Sequence, residues 1–497
     1  MSVFVAPAQA NAGLLGGLLG TVGGVVGGVV GILTPGWDDG ASTPPVRMAT
    51  VADAIGANDL WSRGVDGRGI GVAVIDTGMV PVAGLDGAGK IVNGPDLSFE
   101  SQDEGLRYLD GYGHGTHMAG IIAGNDGPGG AFRGVAPGAR LLNVRVASHD
   151  GAVDVSQVVA AIDWVVQHRS DNGMNIRVIN LSYGTDGMQS PRTDPLSFAV
   201  ENAWRKGIVV VTGAGNDGDD RSMLVNPAAN PYVIAVGAAD LRNTASPHDD
   251  VVAPFSSRTR GRTVDLVAPG VSVTSLRDPG SSIDVEHPGA VVDSRYFRGS
   301  GTSQAAAVTS GAVALLLQAR PSLTPDQVKA LLRSTATLLV GTDRAAQGAG
   351  RLDVNLATLA LVPLGSTQRW TPAAGTGSLE AARGTGHVAD DGVELRGEQD
   401  IFGRAWDGDA WAASAAAGTS WSGGEWNGSV WTGDCWCATS WAGTSWTGRT
   451  WIGDSWTGRT WIGRTWIGRT WIGRTWIGDS WTGRTWIGDS WTGRTWV

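Results

Sequence analysis

Asp76, His114 and Ser303 are the residues of this chain whose types and settings could do chemistry together. A hydroxyl becomes a nucleophile when an imidazole takes its proton and a carboxylate holds that imidazole in one tautomer. Acyl transfer then needs N–H donors waiting for the oxyanion that forms at the attacked carbonyl. Asp76 closes the apolar run of VAVIDTG, so its carboxylate should emerge at the C-terminal edge of a sheet, where open α/β folds place their sites. A strand-end Asp also commonly fixes a turn, so it carries little alone. His114 stands in GYGHGTHMAG, between Gly113 and Gly115, which permit close backbone approach. His117, three residues along, reads as a packing histidine. Ser303 lies in GSGTSQAAAVTSGAVALL at the start of an apolar helix. That is an N-cap setting, but a helix N-terminus also offers unpaired N–H groups and a positive dipole end to an oxyanion. Asn216, after GIVVVTGAG, could donate a further hydrogen bond, or simply take up the turn before Asp217-Gly218.

These residues need a sheet and helices to position them. Ile70–Ile75, Ala139–Val146, Arg177–Leu181, Ile208–Val211 and Tyr232–Val236 are short apolar runs of buried-strand type. Between them, Val155, Val158, Val159, Ile162 and Val166 share one helical face behind Asp154 as N-cap. Asp194-Pro195 opens a helix that Gly207 stops, and Thr324-Pro325-Asp326-Gln327 opens another with a capping box. Strand alternating with helix predicts an α/β fold, a mainly parallel sheet with helices on both faces.

With those elements in place, VAVIDTG, GHGTHMAGIIAG, VINLSYG, GIVVVTGAGND, NPAANPYVIAVGA, LVAPG and GTSQAA together resemble the subtilase family of serine proteases over about 50–362. The resemblance implies Ser303 as nucleophile, His114 as general base, Asp76 as orienting carboxylate, and an oxyanion hole of Asn216 with the Ser303 backbone N–H. It implies that Ser182-Tyr183-Gly184 pairs the substrate as an added strand, with Gly213 and Ala214 lining the pocket wall. Protein or peptide substrates follow from it. Two positions depart from the family: Gln304 stands where Met is usual, and Ala307 where Pro is usual. A folded prosegment of the family type is not evident in the residues before the domain. Calcium is a frequent family ligand, and Asn216-Asp217-Gly218-Asp219-Asp220 could supply oxygens, but no ligand set matches a specific motif and the metal is left unassigned.

The whole chain divides into residues 1–48, an uncharged Gly-rich export-signal remnant or spacer; 49–362, the peptidase-like domain; 363–405, a linker; and 406–497, a Trp-rich tail. No charge occurs before Asp38, and Ala8-Gln9-Ala10 has signal-peptidase spacing. Residues 13–33, with glycines four apart, also fit a membrane-inserting zipper. Either reading puts the protein outside the cytoplasm, secreted or at the cell surface. A net charge of -10 argues against nucleic acid as the main partner. From Trp406 to Trp496 a tryptophan recurs every five residues except at Ala416, and this stretch holds 18 of the chain's 23. Five residues turn about 140° on a helix and alternate faces on a strand, so each pentad must carry its own turn. Stacked as a solenoid, such pentads would expose aromatic faces suited to cell-wall glycans. That supports an alternative identity, a surface adhesin or self-processing scaffold. Cys435 and Cys437 are the only cysteines and flank Trp436; joined together they would close a strained ring, and an intermolecular bridge or free thiols are the alternatives.

Overall fold

The computed structural model describes residues 31–32, 36–37 and 44–496 apart from 102, 104, 188, 220–222, 391–392, 433–434, 443–444, 458–459, 473–474, 483–484 and 488–489. The readings of residues 1–30 as export signal or zipper, and of Cys435 and Cys437 as thiols or a bridge, lie outside the described residues and side chains. Among the described residues no helix is long and apolar enough to cross a membrane.

Besides the two-residue strand Val251–Val252, which pairs antiparallel at one edge, seven strands form the eight-stranded central sheet: β1 (Gly71–Asp76), β2 (Ile91–Asp96), β3 (Arg140–Arg145), β4 (Ile176–Leu181), β5 (Val209–Gly213), β6 (Ile234–Asp240) and β7 (Leu266–Pro269). They lie in the order β7-β6-β5-β4-β1-β3-β2, every pair parallel. β1 and β5 are buried along their whole length, which is why they read as unbroken apolar runs rather than as alternation. Helices α1 (His114–Ala123), α2 (Val155–His168), α3 (Pro195–Arg205) and α4 (Thr302–Ala319) cover the sheet, α1 packing on α4 and α2 on α3. The caps are those the sequence predicts. Asp154 accepts from Ser156 N–H at 2.9 Å while Gln157 accepts from Asp154 N–H at 2.7 Å. The strand order reverses between β1 and β4, so their carboxyl ends frame a crevice.

The structure differs from the sequence reading after residue 362. Described parts of 363–405 are fastened to the domain rather than forming a free linker. Arg383, buried at the end of a short helix (Leu379–Arg383), reaches Asp154 with Nε–Oδ2 at 2.6 Å. Gln368 N–H donates to Asp326 at 3.0 Å, and Tyr232 donates to the Trp370 carbonyl at 2.8 Å. Nor does the tail begin as a separate unit at 406, because Trp406, Trp411, Trp421, Trp426 and Trp431 are all core residues of the peptidase domain. Trp411 and Trp426 both donate their indole N–H to Asp163 Oδ2 on α2, at 2.8 and 3.0 Å, and Trp421 donates to the Ala160 carbonyl at 2.8 Å. The missing tryptophan has a physical reason. Gly408–Ala417 is helical, so position 416 turns away from buried Trp411 and faces solvent.

Beyond residue 434 the backbone pairs with itself in parallel at a constant offset of 15 residues: Trp436 with Trp451, Trp451 with Trp466, Trp466 with Trp481 and Trp481 with Trp496. Strands Ser445–Thr457 and Thr460–Ile472 are separated by only two residues yet run side by side in the same direction. A parallel neighbour normally requires a long crossover. The strands must therefore coil, three pentads to a rung.

Asp163 makes the junction sensitive to pH. Burial pushes its carboxyl up to about 6 against the donors from Trp426 and Trp411. A carboxyl raised on folding favours the protonated folded state, so its charge destabilises the fold increasingly as pH rises from about 4 through 6. Asp163→Asn is expected to gain stability relative to wild type between pH 4 and pH 8, by on the order of 3 kcal/mol. Urea melts at the two pH values measure it, and a constant difference would refute it.

Candidate active site

The crevice at the ends of β1 and β4 collects the predicted residues. Asp76, the last residue of β1, accepts on Oδ1 from His114 Nδ1 at 2.7 Å and from Thr77 N–H at 2.8 Å. A carboxylate only accepts, so the proton of the ring sits on Nδ1 and the lone pair on Nε2, the tautomer a general base requires. His114 is brought there by its flanking glycines. A Cβ on Gly115 would stand 2.1 Å from the Gly78 carbonyl oxygen, so only glycine lets the first turn of α1 press against the loop after Asp76.

Sequence reasoning missed the residue that ties these two loops together. Asp110, wholly buried, accepts from Thr77 Oγ1 at 2.6 Å, Gly113 N–H at 2.6 Å and Thr116 N–H at 2.7 Å. Thr77 Oγ1 in turn accepts from Gly115 N–H at 2.8 Å. Burial raises the Asp110 carboxyl, and the donors from Thr77, Thr116 and Gly113 oppose that. Its signal was only a lone Asp four residues before His114. His117 is the packing histidine the sequence suggests. Burial, helped by neighbouring His114, lowers it to about 3, and its Nε2 meets the Phe297 carbonyl at 3.2 Å.

Ser303 lies in the first turn of α4 and is fully buried. Asn216 sits beside that turn, where its Oδ1 accepts from Thr302 N–H at 2.9 Å and Thr302 Oγ1 at 3.1 Å. With the carbonyl end held, planarity directs the Asn216 NH2 away from Thr302. Gly215 at φ +108° makes this turn, and a Cβ there would meet Ser257 Oγ at 2.8 Å. Gly213 closes β5, and Ala214 is buried with Leu224 and Val225. Ser182, which accepts from Asn180 at 3.2 Å, leads into the short strand Tyr183–Gly184. Asp219 of the acidic loop is ion-paired to Arg258 at 2.9 Å, Asp220 lies outside the described residues, and no cluster of three metal-ligating side chains occurs among those described.

Two described pieces of the chain's own N-terminal segment pair within the cleft. Gly31–Ile32 pairs antiparallel with Tyr183–Gly184, and Gly36–Trp37 pairs antiparallel with Gly299–Ser300 just before Ser303. The Trp37 ring stands edge-on to His114 at 6.2 Å and to His117 at 5.5 Å, and tilted against Phe297 at 5.3 Å. Beneath it, His114 Nε2 has no hydrogen-bond partner among the described residues.

Comparison with known proteins agrees with this geometry. The Subtilase family pattern matches residues 67–352. Serine protease AprX of Bacillus subtilis is 39% identical over 318 residues, 62% of this chain and 70% of its own length. Subtilisin BL of Lederbergia lenta is 35% identical over 299 residues, 60% of this chain and 93% of its own. Among solved structures, fervidolysin from Fervidobacterium pennivorans, described as a keratinolytic enzyme related to subtilisin, superposes with a TM-score of 0.52 at 28% identity, covering 67% of this chain. The chain spans 51% of fervidolysin's length. The switch-point crevice, the seven ordered motifs and this match over more than half of the chain lead to one conclusion: the protein belongs to the subtilase family and is a serine-type endopeptidase.

Proposed function

We propose that the protein is a secreted endopeptidase in which Ser303 Oγ attacks the scissile carbonyl as His114 Nε2 takes its proton. Asp76 steadies the imidazolium, and the oxyanion receives hydrogen bonds from the Asn216 NH2 and the Ser303 backbone N–H. Collapse breaks the C–N bond, with the proton passing from Nε2 to the leaving amine. Water then repeats the sequence on the acyl-enzyme. The single observation that carries the reading is the 2.7 Å Asp76–His114 bond, which fixes Nε2 as the basic nitrogen. Ser182-Tyr183-Gly184 holds the acyl side of the substrate as an added strand, with Gly213 and Ala214 behind it. Pairing of that edge by Gly31–Ile32 supports this, because it is a peptide bound through main-chain contacts.

The same pairing supplies an activation route. The first bond cut lies between Ile32 and Trp37, and its cleavage releases Trp37 from His114. Export is supported by the charge-free start and its Ala8-Gln9-Ala10 spacing. Intact-mass and peptide spectrometry of purified protein treated with a serine-reactive phosphonate tests the reading. The adduct is expected on the peptide containing Ser303, and the mature N-terminus between Ile32 and Trp37. An unlabelled Ser303 in protein that digests an unfolded substrate would overturn it.

A further inference from the structure

Gln304 follows the nucleophile in α4, and its side chain is wholly buried. Neither Oε1 nor Nε2 has a hydrogen-bond partner among the described residues. A buried polar atom left unsatisfied forfeits the hydrogen bonds it had in water, so an amide with both ends unmatched beside the reacting hydroxyl is locally destabilising. Packing alone does not require it, because an apolar side chain of similar length would fill the space without that cost.

The amide has a definite place in the cleft. Gln304 Nε2 lies 2.7 Å from where a Cβ on Gly299 would be, and that point is 2.7 and 2.9 Å from Cζ3 and Cε3 of Trp37. The apolar edge of the indole therefore lies over the amide. The N-terminal segment also gives the cleft a direction. Its earlier residues pair with Tyr183–Gly184 and its later ones with Gly299–Ser300. A peptide running the same way has its acyl part on the first strand and its leaving amine on the second, beside Gln304. Trp37 Nε1 is likewise without a hydrogen-bond partner among the described residues, so the present occupant matches this polar pocket poorly.

We infer that Gln304 is a specificity-determining residue on the leaving-group side, selecting peptides that place a primary amide or hydroxyl side chain over it. The inference rests on the peptidase reading. An amide partner offers one donor and one acceptor, complementary to the two unmatched atoms of Gln304. A site built to hydrogen-bond a substrate group discriminates strongly against analogues that lack it.

The matured enzyme is to be assayed on internally quenched peptides carrying Gln, Asn or Ser against Met, Leu or Ala at each of the first three positions after the cut. At one position the polar member is expected to exceed its apolar counterpart by about tenfold or more in kcat/KM. Gln304→Met is expected to abolish or invert that ratio while leaving acyl-side preferences in place. The same ratios in wild type and Gln304→Met at all three positions would overturn the inference. Should wild type cut no peptide, the peptidase reading fails, and melting of the full chain in a Ser303→Ala background decides instead. There Trp37→Gln is expected to melt above Trp37→Met when Gln304 is present and to lose that advantage with Gln304→Met. No such coupling would reject the role of Gln304 by itself.

Discussion

Replacing Ser303 with alanine is expected to lower turnover of an unfolded protein substrate by about a million-fold, with residual activity from binding and oxyanion stabilisation alone. The base that would activate Ser303 is held by a fixed chain of bonds. Asp76 Oδ1 is engaged by both His114 Nδ1 and Thr77 N–H, and Asp110 locks Thr77, Gly113 and Thr116 into the same arrangement. The variant should keep its fold, since alanine suits the first turn of α4. Its N-terminus should also remain uncut, because the same serine is proposed to process it. Matched kinetics and intact masses of the two proteins provide the measurement. Cleavage at wild-type rate, or normal loss of the segment before Trp37 in purified Ser303→Ala, would refute the assignment.

Trp426→Ala is expected to cost about 3–5 kcal/mol of stability. Trp426 is 1% exposed, packs against Trp406 and Trp431, and is one of the two indoles donating to Asp163. Truncation opens a cavity and strips a hydrogen bond from a buried carboxylate together. Trp370, 56% exposed, is the control: its alanine variant should lose little. Urea unfolding of both variants reads the difference. Equal midpoints would show that the first pentads do not stabilise the domain.

The contrast between these two sites shows what the sequence could reveal. Asp76, His114 and Ser303 were legible because each stands at a local junction, strand end or helix start, whose residues announce it. β1 and β5 were legible because burial on both faces leaves an unbroken apolar run. Trp37 was not, since its role depends on pairing with Gly299–Ser300, some 260 residues away, and it lies in a stretch without apolar periodicity. The stretch 363–405 was not legible either. Its Gly, Ala and charged residues resemble a spacer, and only the burial of Arg383 against Asp154 turns the charge into a fastening. The pentads concealed two structures under one period. Five residues a step serves an irregular wrap around Asp163 as well as a coil of 15-residue rungs.

The strand pieces that pair within the cleft belong to the same polypeptide as the cleft, and that fixes the order of the reaction that would cut between them. Cutting a bond between Ile32 and Trp37 in place is first order, with a half-time independent of how concentrated the protein is. Before the cut, the occupant is held at the effective concentration of a tethered ligand, in the millimolar range. Afterwards the severed acyl-side piece, with Gly31–Ile32, must rebind Tyr183–Gly184 from solution, at whatever concentration the protein itself has reached, while Trp37 stays on the enzyme's own chain. Dilution alone thus separates an occupied acyl-side strand from an empty one: high protein concentration favours recapture of the fragment, and release into a large volume disperses it.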